Sequence, residues 1–344
     1  MIITAKEFLR KGFEPKHLIS TFCLLALFFT MSYSGTNYWI SITGTLFLGI
    51  AVLTSVHHAE IIAHKIGEGL GTLVLAVSVT IIEVGLIVSL MGQVGEGSSI
   101  LARDTIFAAI MIIMNGMVAL CLILGGLKYR EQEFQVQGCK SLLVVLITLS
   151  ALVFVLPNFT STTSAGTYSS EQLVFVGVVC LLLYLLFIFL QTASHKEYFA
   201  PLSGKELETE DQPLAHEIST VDASLSFVSL SISLLSVIGL AKVISPVIEE
   251  GILYFGAPKS TVGLVIATIV LLPETWAAVN ASRANRLQTS LNLALGSGIA
   301  SIALTIPAVI IYSYFKGHDL VLGLEPKHMV FLLMTFLISN LTLG

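Results

Sequence analysis

Charged side chains are scarce in this sequence of 344 residues. Only 11% of the residues are charged, whereas 55% are hydrophobic, and the mean hydropathy is +0.91. Soluble domains carry about 25% charged residues, so the composition excludes a soluble protein and indicates a chain that crosses a membrane several times. The net charge of −5 and the lack of long basic runs argue against a nucleic-acid partner.

Cysteines and catalytic motifs are also rare. The sequence has neither an HExxH zinc motif nor the nucleophile elbow of hydrolases, so an intramembrane hydrolase is the weaker hypothesis, and we expect a transporter without an enzyme activity or a cofactor. Four cysteines lie in or beside apolar segments without CxxC spacing, which predicts buried small side chains rather than metal or disulfide sites. They are Cys23, Cys121, Cys139 and Cys180.

What the sequence contains is a series of about ten apolar segments of membrane-spanning length. We therefore predict an all-α polytopic membrane protein. The first segment follows a basic stretch, as in a signal peptide, but its length and the lack of an A-x-A site favour an uncleaved helix. The segments lie near residues 18–34, 38–63, 71–92, 104–127, 141–157, 172–193, 224–246, 259–281, 288–315 and 327–343.

Basic residues are distributed unevenly over the connections between these segments. With the N-terminus in the cytoplasm, twelve of the seventeen lysines and arginines fall on the cytoplasmic side, and the loop 158–171 on the other side has none. We therefore predict a multi-pass protein of the inner (plasma) membrane with a cytoplasmic N-terminus. The acidic segment 195–222 is then a cytoplasmic linker, with a regulatory segment that attracts cations as the alternative.

Two apolar segments each carry one glutamate ten residues after the start of a shared pattern. The pattern is Leu73-Val-Leu-Ala before Glu83 and Leu264-Val-Ile-Ala before Glu274. Ten helical residues rise about 15 Å, which is half of a bilayer core, so both carboxyl groups are predicted near the membrane midplane. Burial disfavours the charged carboxylate and a bound cation favours it, so each glutamate can accept either a proton or a cation.

The two glutamates belong to related halves of the chain. Glu60 precedes Glu83 by 23 residues, and Glu250 precedes Glu274 by 24 residues. The predicted topology makes the two halves run in opposite directions, as in the inverted repeats of many secondary transporters. We predict four parts: the N-terminus with helix 1, a first repeat, the linker, and a second repeat that lacks its last helix. Their limits are 1–37, 38–194, 195–222 and 223–344.

Polar residues near the glutamates and at the ends of the spans complete the predicted site. Pro273 is expected to loosen the helix just before Glu274. Five further residues have side-chain oxygens that suit a hard cation, and we predict that they help to bind it. The alternative is that these side chains only form hydrogen bonds to the backbone of their own helix. The residues are Ser78, Thr80, Asn115, Ser297 and Ser301. A second group of residues is predicted to form a gate or mouth that takes up protons and concentrates cations. The alternative is that they form salt bridges at the membrane interface. The members of this group are His58, Glu60, His64, Glu249 and Glu250.

Several of these stretches resemble a known family. They are His58-Ala-Glu-Ile-Ile-Ala-His64-Lys-Ile-Gly-Glu68, Ser78-Val-Thr-Ile-Ile-Glu83, Leu272-Pro-Glu274, Gly296-Ser297 and Ile302-Ala-Leu-Thr-Ile-Pro307. From about residue 38 onward the chain resembles the bacterial ChaA-type cation/proton antiporters of the calcium/cation antiporter superfamily. The resemblance implies eleven helices, with helix 1 followed by two inverted five-helix repeats, and Glu83 and Glu274 as the exchange carboxylates.

One departure from the family pattern concerns cation selectivity. The exchangers best matched to calcium have a GNAxE motif, but here Val79-Thr80-Ile81-Ile82 and Val270-Leu271-Leu272-Pro273 precede the glutamates. We predict an antiporter that exchanges Ca²⁺, and also Na⁺ or K⁺, for protons by alternating access at a midplane two-glutamate site. A sodium/calcium exchanger without proton coupling is the alternative. The predicted partners are the transported ions and the lipid bilayer. The sequence also allows a homo-oligomer.

Overall fold

The computed structural model describes residues 14–33, 38–66, 68–92, 98–200, 219–254, 256, 261–317 and 319–344. Most of the predicted acidic linker, 201–218, lies outside the described residues, as do residues 1–13. The side chains of His64 and Glu249 are also outside this set.

The described residues form ten long helical stretches at the positions where the apolar segments predict them. The first three are α1 (Pro15–Tyr33), α2 (Tyr38–Ile66) and α3 (Glu68–Met91). The next is interrupted by a π-helix (Ile112–Met117), which joins α4 (Ser98–Met111) to α5 (Val118–Tyr129). The others are α6 (Val136–Ser150) with its π and 3₁₀ extensions (Ala151–Val155, Leu156–Phe159), α7 (Ser170–Phe189) with a π extension (Leu190–Ser194), α8 (Thr220–Tyr254), α9 (Thr261–Arg283), α10 (Leu287–Lys316) and α11 (Pro326–Leu343).

Most of the helices have the length and apolarity that a membrane requires. Within the described ranges, eight helical segments are long and apolar enough to cross a bilayer, and α3 contributes a shorter apolar segment, Val77–Ser89. The same ranges contain no β-strand, only an isolated bridge between Thr167 and Val321. The predicted all-α polytopic membrane fold is confirmed. All four cysteines are buried, as predicted.

Contacts along the chain separate two compact units. The first comprises the described parts of Met1–Gln93 and Asp211–Val262, and the second those of Val94–Glu210 and Gly263–Gly344. Each unit takes helices from both predicted repeats, so units and repeats divide the chain differently. The assignment of the repeats stays a prediction.

In the first unit, α8 packs against α1, α2 and α3. A row of buried serines on α8, spaced three and four residues apart, allows the neighbouring helices to approach closely. Ser233 donates a hydrogen bond to Ser20 of α1 (3.0 Å), and Leu27 of α1 lies directly over Gly239. The members of this α8 serine row are Ser226, Ser229, Ser233 and Ser236.

In the second unit, α10 is the central helix and contacts α4 to α7. Its apolar side chains are buried around most of the helix, as expected for a span surrounded by other helices. Gly298 lies against Ile113 of the π-helix and Leu146 of α6, and Gly177 of α7 lies against Pro307. These glycines bring the neighbouring helices close to α10.

The connection that leads into α11 is fastened to other parts of the second unit. Arg103 is buried, pairs with Asp104 (2.8 Å) and donates a hydrogen bond to the carbonyl oxygen of Gly323 (2.9 Å). Asn158 donates to the carbonyl oxygen of Leu324 (3.1 Å). Pro326 then starts α11 at a position where its missing N–H has no cost. These bonds fix where α11 begins and thus which residues it presents to the π-helix.

Candidate functional site

Glu83 lies in the interior of the first unit. Its side chain is only 5% exposed, and the nearby Ser78 and Thr80 on α3 are equally well buried. Thr80 is three residues before Glu83, so both lie on the same face of the helix. Ser78 lies five residues before Glu83 on the same helix and points in another direction. All three residues are buried in α3, and their oxygens are of the type that hard cations prefer.

A close helix contact supports this part of α3. A Cβ atom added to Gly85 would lie 2.5 Å from a side-chain carbon of Ile238 on α8. Only glycine permits this approach, because real Cβ atoms do not come so near to other carbon atoms. Gly85 thus sets the distance between α8 and the helix that carries Glu83. This glycine is not among the site residues predicted from the sequence, although it lies two residues from the glutamate.

His58 is fully buried within the first unit, where it contacts α1. Its Nε2 atom is 3.1 Å from the carbonyl oxygen of Lys16, and its ring stacks on that of His17, with centroids 5.2 Å apart and planes 13° apart. His17 is hydrogen-bonded to Ser229 of the α8 serine row (2.8 Å). Glu60 is partly buried and Glu250 exposed. The predicted gate function of these residues stays a prediction.

Asn115 lies in the π-helix of the second unit, at the middle of one continuous membrane-spanning segment. Its amide nitrogen donates hydrogen bonds to the carbonyl oxygen of Met111 (3.3 Å) and to the hydroxyl of Thr335 on α11 (3.1 Å). Thr335 is 4% exposed and had no place in the predicted site. Single π-turns occur frequently at functional sites, because they change the direction of side chains relative to an α-helix.

Glu274 lies in α9 of the second unit and is partly buried. Pro273, directly before it, lies inside a continuous helix, where its missing N–H leaves the carbonyl group of Ile269 without a helical donor. Ser297 is partly buried and Ser301 is buried, one turn apart on the same face of α10. A hydrogen bond from Ser290 of α10 to the carbonyl oxygen of Ala278 (2.8 Å) ties α10 to α9 one turn after Glu274.

A polar network in the second unit also escaped the sequence analysis. Gln288 at the start of α10 is fully buried. Its side-chain oxygen Oε1 accepts a hydrogen bond from the backbone N–H of Gln135 (2.6 Å), and its side-chain nitrogen Nε2 donates one to Oδ1 of Asn292 (2.9 Å). Asn292 in turn donates to the carbonyl oxygen of Phe199 (2.7 Å). Two amides four residues apart at a helix start are the pattern that could have revealed it.

Comparison with known proteins identifies the family. The family described as sodium/calcium exchanger protein matches residues 36–193 and 225–344, which cover most of the chain and both predicted repeats. The chain belongs to this exchanger family.

Two bacterial relatives align with most of the exchanger. The protein y4hA of Sinorhizobium fredii is 43% identical over 294 residues, which are 86% of this chain and 79% of that protein. The sodium-potassium/proton antiporter ChaA of Escherichia coli is 30% identical over 332 residues, which are 96% of this chain and 89% of that protein. The predicted membership among the ChaA-type antiporters of the calcium/cation antiporter superfamily is confirmed.

A solved structure has the same fold as this exchanger. The crystal structure of the H⁺/Ca²⁺ exchanger CAX superposes with a TM-score of 0.66 at 17% sequence identity, covering 98% of this chain and 82% of that chain. At this identity the similarity concerns the fold. It extends over nearly the whole chain and agrees with the all-α membrane fold.

Proposed function

We propose that this exchanger moves Ca²⁺, and also Na⁺ or K⁺, out of the cytoplasm in exchange for protons by alternating access. Glu83 and Glu274 are the two carboxylates that bind the cation and the proton in turn. Ser78, Thr80, Asn115, Ser297 and Ser301 supply further oxygens. In this proposal the protein lies in the inner membrane with its N-terminus in the cytoplasm.

The burial of Glu83 is the observation that supports this proposal most strongly. A carboxylate that is 5% exposed inside an apolar helix bundle is costly unless it is neutralised. A proton and a metal cation neutralise it in mutually exclusive ways, because both need the same carboxylate oxygens. Competition of the two ions for one group is the chemical requirement of a cation/proton antiporter. The relation of the chain to antiporters supports the same conclusion.

The choice of cations rests on the ligands and on the relatives. Carboxylate and hydroxyl oxygens suit Ca²⁺ and the alkali cations alike. The Escherichia coli relative is named a sodium-potassium/proton antiporter, which favours Na⁺ and K⁺ as substrates in addition to Ca²⁺. The two glutamate-bearing segments lack the asparagines of the GNAxE motif, so strict selectivity for Ca²⁺ is not expected.

Glutamine substitutions test the role of the two carboxylates. Glu83→Gln keeps the size of the side chain but leaves a neutral amide with one acceptor oxygen, so it cannot compensate the charge of a desolvated cation. In proteoliposomes that contain a pH-sensitive dye, a pulse of Ca²⁺, Na⁺ or K⁺ should move protons through the native protein. The rate should fall by orders of magnitude in Glu83→Gln and in Glu274→Gln.

The control is Glu131→Gln, which changes an exposed glutamate in the same way and should leave exchange unchanged. Wild-type rates in correctly inserted Glu83→Gln and Glu274→Gln would refute the role of these carboxylates. If the native protein exchanges Na⁺ for Ca²⁺ without moving protons, the alternative without proton coupling is correct.

A further inference from the structure

The amide of Asn115 has a defined orientation. The carbonyl oxygen of Met111, 3.3 Å from Nδ2, can only accept a hydrogen bond. If the amide were rotated by half a turn, its oxygen would face this carbonyl oxygen, and two acceptors would repel each other. The amide nitrogen therefore points towards Met111, and the oxygen Oδ1 points away from it.

The second hydrogen bond of the same nitrogen joins the π-helix to α11. The hydroxyl of Thr335 accepts it at 3.1 Å, and this hydroxyl is 3.7 Å from the sulfur of Met111, to which it can donate its own hydrogen. Thr335 lies on the buried face of α11, whose start is fixed by the bonds of Arg103 and Asn158 described above. With both amide hydrogens engaged, the side chain cannot rotate without losing a bond.

The amide oxygen is left available by this arrangement. Among the residues that the structure describes, none donates a hydrogen bond to Oδ1 of Asn115, and the side chain is exposed. An asparagine is costly when it faces lipid in the middle of a membrane span, so an exposed one is expected to face water or a polar ligand. An amide oxygen is a good ligand for a hard cation.

We propose that Thr335 is a positioning residue of the cation site: its hydroxyl holds the amide of Asn115 in the orientation that presents Oδ1 to the transported cation. This inference rests on the proposed function, because it assigns Asn115 to cation binding. Thr335 itself contacts no cation in this proposal. It acts only through Asn115.

Removal of the hydroxyl at constant size tests this role. Thr335→Val replaces the hydroxyl with a methyl group, so the amide of Asn115 loses one of its two bonds. We expect the apparent KM for the cation in the proteoliposome assay to rise about 2- to 10-fold, the range that one net hydrogen bond accounts for, with little change in kcat. Thr335→Ser retains the hydroxyl and should restore the KM. Thermal stabilisation of the purified protein by Ca²⁺ or Na⁺ should shift to higher cation concentration in parallel.

The same substitution made in a protein that already lacks Asn115 distinguishes a positioning role of Thr335 from a general effect on the fold. In Asn115→Ala, which itself raises the KM, the addition of Thr335→Val should raise it no further, because the residue to be positioned is gone. Thr342→Val is the matched control on the same helix, since its exposed hydroxyl bonds only to the carbonyl oxygen of Ile338. If Thr335→Val lowers the yield of folded protein, Thr335→Cys carries the same expectation.

Three results would overturn the inference: an unchanged KM in Thr335→Val, a further rise in the Asn115→Ala background, or an equal rise in Thr342→Val. In each of these cases a native protein that still exchanges cations for protons leaves the proposed function intact. A native protein that neither binds nor exchanges a cation would refute both.

Discussion

The imidazole rings of His17 and His58 hold α1 against the rest of the first unit. His58 contacts the backbone of Lys16, stacks on His17 and is fully buried, while His17 is hydrogen-bonded to Ser229 of α8. The remaining nitrogen of each ring, Nε2 of His17 and Nδ1 of His58, has no hydrogen-bond partner within the described part of the chain. Two residues distant in sequence thus act together, and His58 is at once a gate candidate and a contact of α1.

Removal of the Ser229 hydroxyl should weaken this contact. In Ser229→Ala, Nδ1 of the buried His17 loses its partner, which costs about 1–3 kcal/mol. We expect a lower unfolding temperature of the purified protein in detergent. Ser231→Ala is the matched control, because that serine is exposed and bonds only to the carbonyl oxygen of Phe227 in its own helix. Equal melting of both variants and the native protein would show that the His17–Ser229 bond contributes nothing to stability.

At the scale of the helix, α3 packs closely against α8 near Glu83. Gly85 permits an approach that no other residue allows, because a Cβ atom there would meet Ile238 at 2.5 Å. By contrast, a Cβ atom on Gly49 of α2 would have no neighbour within 4 Å. Replacement by alanine is therefore expected to change the stability of the protein in opposite directions at these two glycines.

We predict that Gly85→Ala separates α3 from α8 and destabilises the protein by about 1–3 kcal/mol, as overpacking does. It should also lower the exchange rate, since the helix that carries Glu83 moves. Gly49→Ala should be neutral or should stabilise the protein by up to about 1 kcal/mol, because alanine is the better helix former. Ile238→Ala, combined with Gly85→Ala, should recover part of the activity. If Gly85→Ala alone matches the native protein in melting and exchange, close packing at this position is not required.

At the scale of the whole molecule, the proposed orientation in the membrane follows from the distribution of basic residues and can be tested with single thiols. The four native cysteines are buried, so an added exposed cysteine should dominate labelling. Ser161 and Lys196 are both exposed and lie in the two connections predicted on opposite sides. A membrane-impermeant thiol reagent should label Ser161→Cys in intact cells, and Lys196→Cys only after the membrane is opened. Labelling of both in intact cells would contradict the inverted arrangement of the repeats.

The two compact units show that a repeat in the sequence does not predict which helices pack together. The repeats are predicted from Glu83 and Glu274 and the segments around them, which lie in order along the chain. Packing follows another rule, because a helix buries its apolar surface against whichever helix fits it. α8 therefore joins α1 to α3 in one unit, and α10 gathers α4 to α7 in the other.

The sequence by itself determined the class of the fold, the positions of the ten helical stretches and the choice of Glu83 as a buried carboxyl residue. These features depend on composition and on the length of apolar segments, which the bilayer imposes locally. Only the tertiary structure decided that Gly85 lies against Ile238, that His58 stacks on His17, and that Thr335 holds Asn115 across 220 residues of sequence. The helical period shows which face a side chain occupies but not which helix covers that face, because the partner is selected by packing between distant segments.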